Sequence, residues 1–137
     1  MRRLLRLTPG LLALAALTAP GCQQNTWRND NLSGNLQFVG DPRIENVVAE
    51  EGARIEYTEA DLPVFQVDLR NLMDDQEARV QWRAVWYDGR GIQINDPARV
   101  WHPVILPARG SIPIRSIAPH EDAVRCEIQV QLLNPIE

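Results

Sequence analysis

Lysine is absent from this sequence, and all fourteen of its basic residues are arginine. Eighteen acidic residues outweigh them, so the formal net charge is −4. Binding to nucleic acid depends on a basic face that neutralises phosphates, and docking of a folded domain on anionic lipid depends on clustered basic residues. The charge balance therefore argues against nucleic acid as a partner and against lipid docking through the folded domain.

Residue types that carry catalysis or bind metals are also scarce. The chain has two histidines, His102 and His120, and two cysteines, Cys22 and Cys126. A zinc site needs three or four well-placed ligands, and neither a Gly-x-Ser-x-Gly elbow nor an Asp-x-Asp-x-Asp-Gly calcium loop occurs. We therefore predict no catalytic residues, no metal site and no cofactor, and hence a protein that is not an enzyme.

A long hydrophobic run is missing as well. The apolar residues 11–17 follow a basic start and precede the small residues 18–21, an order typical of a secretory signal peptide. A membrane-spanning helix needs roughly 20 apolar residues, and Thr-Pro-Gly at 8–10 interrupts this run. We predict that residues 1–21 are removed, which leaves eleven arginines, eighteen acidic residues and a net charge of −7.

Residues 19–22, Ala-Pro-Gly-Cys, resemble the lipobox of bacterial lipoproteins, with alanine where leucine is commonest. The resemblance implies that Cys22 becomes the mature N-terminus and carries acyl chains, of which two or more give stable anchoring. Gln23, where aspartate would retain the protein at the inner membrane, implies by the same resemblance a lipid-anchored protein of the outer membrane that faces the periplasm. An ordinary secreted protein, cleaved elsewhere, is the alternative.

The remainder of the chain divides into a tether and one domain. Residues 22–34 are polar and rich in turn formers, which predicts a flexible tether after the lipidated cysteine. Over residues 35–137, short apolar runs alternate with turn signals. We predict an all-β fold, an immunoglobulin- or fibronectin-III-like β-sandwich of about seven to eight strands. The expected strands include residues 36–39, 44–49, 53–57 (an edge or a bulged continuation), 63–69, 80–87, 100–106, 111–117 and 124–132.

The stretch 79–92 is the centre of this pattern. One set of alternating positions holds Val80, Trp82, Ala84 and Trp86, and the other holds Gln81, Arg83, Val85 and Tyr87. This two-residue period predicts a strand with both tryptophans in the core. The Asp-Gly pair at 88–89 predicts a tight hairpin turn, and Gly-Ile at 91–92 predicts the start of a returning strand. Cys126, on the inward side of the last strand, is predicted to be a small buried hydrophobe.

Trp101 and His102 are the candidate partner-binding residues. Pro103 follows them and cannot donate to a strand ladder, so it favours an edge strand. An aromatic residue on an exposed edge can be an interaction hot spot. The alternative is that Trp101 caps the bottom of the sandwich.

Four motifs of the sequence resemble the YcfL-like family of small bacterial envelope lipoproteins. They are residues 82–91 (Trp-Arg-Ala-Val-Trp-Tyr-Asp-Gly-Arg-Gly), Trp101 before a Val-Ile-Leu strand, the turn at 107–110 and Ile-Ala-Pro at 117–119. The similarity spans about residues 64–132 and the lipid-anchored start; Trp82, where tyrosine is expected, and the longer acidic loop at 74–77 depart from the pattern. The resemblance implies a β-sandwich in the envelope, and no activity is established for the family.

These observations predict a non-enzymatic outer-membrane lipoprotein whose sandwich binds or positions another envelope component, with an envelope protein as partner. A small-ligand-binding lipoprotein is one alternative. Cell-wall hydrolysis by paired carboxylates in acidic loops, such as Asp74-Asp75, is another.

Overall fold

Seven strands form two facing sheets in the computed structural model, which describes residues 32–133. The strands are β1 (Ser33–Phe38), β2 (Val48–Tyr57), β3 (Pro63–Asn71), β4 (Ala78–Asp88), β5 (His102–Leu106), β6 (Ser111–Ile117) and β7 (Ala123–Leu132). Cys22, the predicted signal peptide and most of the predicted tether lie outside the described residues.

One sheet has four strands in the order β1-β7-β4-β5, and the other has three in the order β2-β3-β6. Strand β1 runs parallel to β7, and every other neighbouring pair is antiparallel. The predicted β-sandwich is confirmed. Its strand order differs from that of immunoglobulin constant domains, in which the third, sixth and seventh strands share a sheet.

The core lies between the sheets and consists of the inward positions of the central strands. Trp86 is 1% exposed and Phe65 is 2% exposed, and they are the largest buried side chains. Other core residues are Val67, Leu69, Val80, Leu106, Ile114, Ile128 and Val130. Trp82 packs against this core but is only half-buried. Trp86 is thus a core residue as predicted, whereas Trp82 lies at the margin of the core.

The predicted strand at 44–49 is wrong over most of its length. Pro42–Asn46 form a short 3-10 helix, in which the side chain of Asp41 accepts a hydrogen bond from the backbone N–H of Arg43 at 3.0 Å. Pro42 favours this start because its φ is fixed and it has no N–H to satisfy. Ile44, 1% exposed, anchors the turn in the core.

A bulge at Gly52 joins the two expected short strands into the single edge strand β2. Gly52 has a φ of +73°, and the pairing with β3 shifts between Glu51 and Ala53. A left-handed φ is easy only for glycine. The alternative of a bulged continuation at 53–57 is therefore confirmed.

Two other boundaries differ from expectation. Ser33 and Gly34, assigned to the tether, belong to β1 and pair with Arg125 and Cys126. The returning strand after the Asp88 turn is reduced to one bridge between Tyr87 and Gln93. The chain then enters a second turn at 96–99, where proline at 97 has no N–H to donate to a ladder.

Within residues 32–133, no helix is long and apolar enough to cross a membrane.

Candidate interaction surface on the four-stranded sheet

His102 and Trp101 lie on opposite faces of the four-stranded sheet. His102 opens β5 opposite Trp82, and the two rings are 4.7 Å apart between centroids. Its Nε2 lies 3.3 Å from the backbone carbonyl oxygen of Ala98. Because Trp82 packs against the core, His102 fills the margin of the core, away from the outer face of the sheet.

Trp101 lies over the outer face of the sheet. The guanidinium carbon of Arg83 is 4.6 Å from the centre of the Trp101 ring. Arg83 points outward, because its strand neighbours Trp82 and Ala84 point to the core and successive residues of a strand alternate. Trp101 is therefore a half-buried outer-face residue, and it does not cap the end of the sandwich.

An apolar stripe continues from Trp101 along β5. Pro103 and Ile105 alternate with the inward residues Val104 and Leu106, and Ile105 is 51% exposed. Strand β5 ends the sheet order, so this stripe lies on a sheet edge. We call Trp101, Pro103 and Ile105 the β5 surface. Exposed apolar residues grouped on one edge are typical of contact surfaces. The place of β5 at the end of the sheet order confirms the edge position that Pro103 predicts.

The outer face beside the β5 surface is rich in amides and arginines. Arg83 donates from Nε to Oε1 of Gln129 at 2.7 Å, and Gln129 donates to Glu127 at 2.7 Å. Arg125 lies over the Tyr87 ring at 4.1 Å. Sequence reasoning missed Arg83 and Arg125, although alternation along β4 and β7 places both of them outward.

A second feature is a groove at the end of the sandwich where β3 finishes. Its volume is about 450 Å³, and its lining residues include Glu51, Arg70, Asn71, Asp74 and Arg109. Arg70 pairs with Glu51 at 3.3 Å, and Arg109 pairs with Asp74 at 2.7 Å. Four of the eight lining residues thus form two ion pairs.

Asn71 holds the base of this groove and is 1% exposed. Its Nδ2 donates to the carbonyl oxygens of Gln76 at 2.9 Å, Leu106 at 3.2 Å and Pro107 at 3.2 Å. Its Oδ1 accepts from the N–H of Met73 at 2.9 Å. One carboxamide thus joins the end of β3 to the 72–77 loop and to the turn after β5.

One acidic residue of the groove, Glu51, is hydrogen-bonded to Ser111 and Arg70. The hydroxyl of Ser111 donates to Glu51 at 2.7 Å, and this bond, with a smaller contribution from Arg70, holds the pKa of Glu51 below its usual value. A general acid in glycoside hydrolysis needs a raised pKa. The shift at Glu51 has the opposite direction.

The remaining candidate ligands are dispersed. Cys126 is fully buried, and desolvation raises the pKa of its thiol, so it is a small buried hydrophobe as predicted. His120 lies in an exposed turn, 3.3 Å from Asp122. In the part of the chain that the structure describes, no three histidine, cysteine, aspartate or glutamate side chains could together hold a metal ion.

A family model described as "Protein of unknown function (DUF1425)" matches residues 40–132, which cover the sandwich from the end of β1 to the end of β7. The chain belongs to the DUF1425 family. No curated protein matches the sequence.

Two solved structures share the fold of this DUF1425 protein. A crystal structure of a DUF1425 family member from Shewanella sp. pv-4 has 22% sequence identity and a TM-score of 0.57, and the match covers 66% of this chain and 80% of that chain. The crystal structure of Campylobacter jejuni cj0090 has 16% identity and a TM-score of 0.57, covering 71% of this chain and 96% of that chain. At these identities the likeness concerns the fold alone.

Proposed function

We propose that this DUF1425 protein is a non-enzymatic outer-membrane lipoprotein, anchored through Cys22, whose sandwich binds or positions another component of the cell envelope. The lipobox-like residues 19–22 and the YcfL-like pattern support the location. The observation that carries the binding role is the β5 surface, where Pro103 and the 51% exposed Ile105 continue the aromatic Trp101 along a sheet edge. A protein partner suits it, because interface cores combine aromatic and aliphatic residues with a polar rim.

The position of β1 is compatible with this arrangement. Ser33 opens β1 beside Arg125, near the end of the sheet where β4 finishes. Ten residues separate Cys22 from Ser33, and the predicted flexible tether would have a reach of roughly 17 Å at that length. The end of the sandwich with the Asp88 turn would then face the membrane. Strands β1 and β5 are opposite edges of the four-stranded sheet, so the β5 surface would stay open to the periplasm.

The anchor is tested by metabolic labelling with a radioactive fatty acid. The wild-type protein should be labelled and the Cys22→Ala variant should not. Equal labelling of both proteins would refute lipidation at this cysteine.

The binding surface is tested by photo-crosslinking in cells, with a photoreactive amino acid at position 105 or at position 117. Ile105 and Ile117 are matched, since they are 51% and 49% exposed on edge strands of different sheets. We expect a discrete adduct from position 105 and none of the same mass from position 117. Absence of any adduct at 105, or the same adduct from both positions, would contradict a specific β5 surface.

The groove beside Asn71 supports the second candidate, a small-ligand-binding protein. Its volume of about 450 Å³ falls in the range of ligand pockets. Ala49 and Leu72 line it together with the Arg70–Glu51 and Arg109–Asp74 ion pairs, so a ligand would have to compete with those pairs. The hydrolase alternative is tested by zymography on peptidoglycan. Clearing by the wild type that disappears in Asp74→Asn/Asp75→Asn would overturn the non-enzymatic proposal.

A further inference from the structure

Two arginines on the outer face of the four-stranded sheet have no acidic partner in residues 32–133. Six of the ten arginines in this range form ion pairs with carboxylates: Arg43, Arg54, Arg70, Arg79, Arg90 and Arg109. Arg83 and Arg125 do not, although the same range contains sixteen acidic residues. Unpaired positive charge on an otherwise acidic domain favours a negatively charged partner at this face.

Each of these arginines is stacked on an aromatic ring. Arg83 lies 4.6 Å from the centre of Trp101, and Arg125 lies 4.1 Å from the centre of Tyr87. Stacking restrains a guanidinium while the N–H groups in its plane stay able to bond a carboxylate. At Arg83, Nε already donates to Gln129, so a carboxylate would bond the two Nη groups. The two groups are thereby partly ordered before any partner binds, which reduces the entropy lost on binding.

The spacing of the two arginines fits one extended segment. Arg83 is opposite Gln129, and Arg125 is opposite Tyr87, so they are four residues apart along the sheet and on neighbouring strands. A strand rises about 3.3 Å per residue, and neighbouring strands are about 4.8 Å apart, so the backbone positions of the two arginines are about 14 Å apart. Acidic side chains four residues apart in an extended peptide point the same way and are separated by about 13 Å.

The surface between and beside the arginines also fits a peptide. Gln81, Gln129 and Gln131 occupy outward positions on β4 and β7, and carboxamides can both donate to and accept from peptide groups. Pro103 lies opposite Gln81, and the exposed Ile105 lies two residues further along β5, opposite Arg79. An apolar contact of this kind favours a protein partner over an anionic glycan.

From these observations we propose that the partner presents an extended acidic segment to this face, with carboxylates four residues apart meeting Arg83 and Arg125. The proposal rests on the proposed function, because it assigns a chemical character to the partner of the β5 surface. Glu127 is the one acidic residue at an outward position of β7, and it lies between the two arginines, opposite Val85. Its carboxylate accepts from Gln129 and forms no ion pair with either arginine, so the three side chains together carry one net positive charge.

The test uses the full-length protein in detergent micelles and a labelled peptide with the core Glu-Thr-Val-Thr-Glu. The matched control peptide has glutamine in place of both glutamates. We expect fluorescence anisotropy to give about tenfold tighter binding of the glutamate peptide at low salt, since charge-assisted hydrogen bonds are the stronger ones. The difference should shrink as salt screens the charges.

Arg83→Gln and Arg125→Gln should each reduce binding of the glutamate peptide several-fold. Arg115→Gln is the control, because Arg115 also lacks an acidic partner in the described range but belongs to β6 of the other sheet. Arg125→Gln keeps the test decisive if Arg83→Gln perturbs folding, because Arg125 is exposed.

Equal binding of the two peptides, or an equal loss in Arg115→Gln, would overturn the proposal. Binding of oligogalacturonate with no binding of the glutamate peptide would also overturn it in favour of an anionic glycan. If the adduct at position 105 forms in cells but is unaffected by Arg83→Gln and Arg125→Gln, the acidic-segment proposal fails and the proposed function stands. Absence of that adduct in the wild type rejects the proposed function itself.

Discussion

The indole Nε1–H of Trp86 donates a hydrogen bond to the hydroxyl oxygen of Ser116 at 2.9 Å and thereby joins the two sheets across the core. Trp86 belongs to β4 of the four-stranded sheet, and Ser116 belongs to β6 of the three-stranded sheet. A buried indole N–H needs an acceptor. This bond therefore fixes the position of one sheet relative to the other. The hydrophobic core around Trp86 consists of apolar contacts, which have little directional preference.

Ser116→Ala is expected to lower the free energy of unfolding by about 1–3 kcal/mol, because it leaves the buried indole N–H unsatisfied. Ser111→Ala is the matched control. Its hydroxyl donates to the exposed Glu51, so its loss should cost about 0.5 kcal/mol or less. Urea unfolding followed by tryptophan fluorescence measures both, and equal effects of the two substitutions would contradict a special role for the inter-sheet bond.

The two tryptophans of β4 should differ in their contribution to stability. Trp86 is 1% exposed, so Trp86→Ala should cost about 3–5 kcal/mol through lost burial and the cavity left behind. Trp82 is half-buried against His102, and Trp82→Ala should cost about 2 kcal/mol. Thermal and urea unfolding of both variants provide the comparison. A larger loss at Trp82 than at Trp86 would disprove this ranking.

The alternation of apolar and polar residues was sufficient to predict the central strands. It places Phe65, Trp86 and Cys126 inward on β3, β4 and β7, as the structure does. The alternation also gives the outward positions of Arg83 and Arg125. Alternation is a local property, so it identifies a face without identifying which strands lie beside each other.

The features that sequence reasoning missed depend on non-local contacts or on local capping. The stack of Arg83 on Trp101 follows from the register of β4 with β5, which are separated by thirteen residues of irregular chain. Gly34 belongs to β1 because of pairing with the distant β7. Ile44 belongs to a short apolar run whose pattern predicts a strand. The side chain of Asp41 instead caps a 3-10 helix that contains Ile44.

Asn71→Asp should destabilise the protein strongly, by about 3 kcal/mol or more at neutral pH. The substitution replaces an amide that donates to three carbonyl oxygens with a buried carboxylate facing those acceptors. The loss should be smaller at low pH, where the carboxyl is protonated and can donate once. Urea unfolding at two pH values checks this, and Asp68→Asn at a half-buried outer position of β3 is the control.

The Asp88 turn should make stability depend on pH in the acid range. The Asp88 carboxylate accepts from the N–H of Ile92 at 3.0 Å and is paired with Arg90 at 2.9 Å. The backbone N–H of Ile92 is the largest cause that lowers the pKa of Asp88. A carboxyl whose pKa is lower in the folded protein stabilises it above its unfolded pKa of about 3.9, and this stabilisation is lost as the pH falls through the folded pKa.

The difference in unfolding free energy between the wild type and Asp88→Asn isolates this contribution, because the other acidic residues are present in both proteins. Denaturant unfolding between pH 2 and pH 7 measures it. The wild type should be favoured near neutral pH, and its advantage should decline with acidification. An advantage that is constant across the range would refute the assigned cause.

A side chain at Gly34 should destabilise the fold, although the sequence pattern predicted this residue to be part of the tether. A Cβ at this position would lie 2.5 Å from ring atoms of Phe65, a core residue that is 2% exposed. Gly34→Ala should therefore cost about 1–3 kcal/mol, the usual range for overpacking a core. Gly89→Ala is the control, because no atom lies within 4 Å of a Cβ there.

If the Phe65 ring is the cause, Gly34→Ala should cost less in a Phe65→Leu background, and a double-mutant cycle measures that coupling. Additive effects of Gly34→Ala and Phe65→Leu would show that the cost arises elsewhere than in this contact.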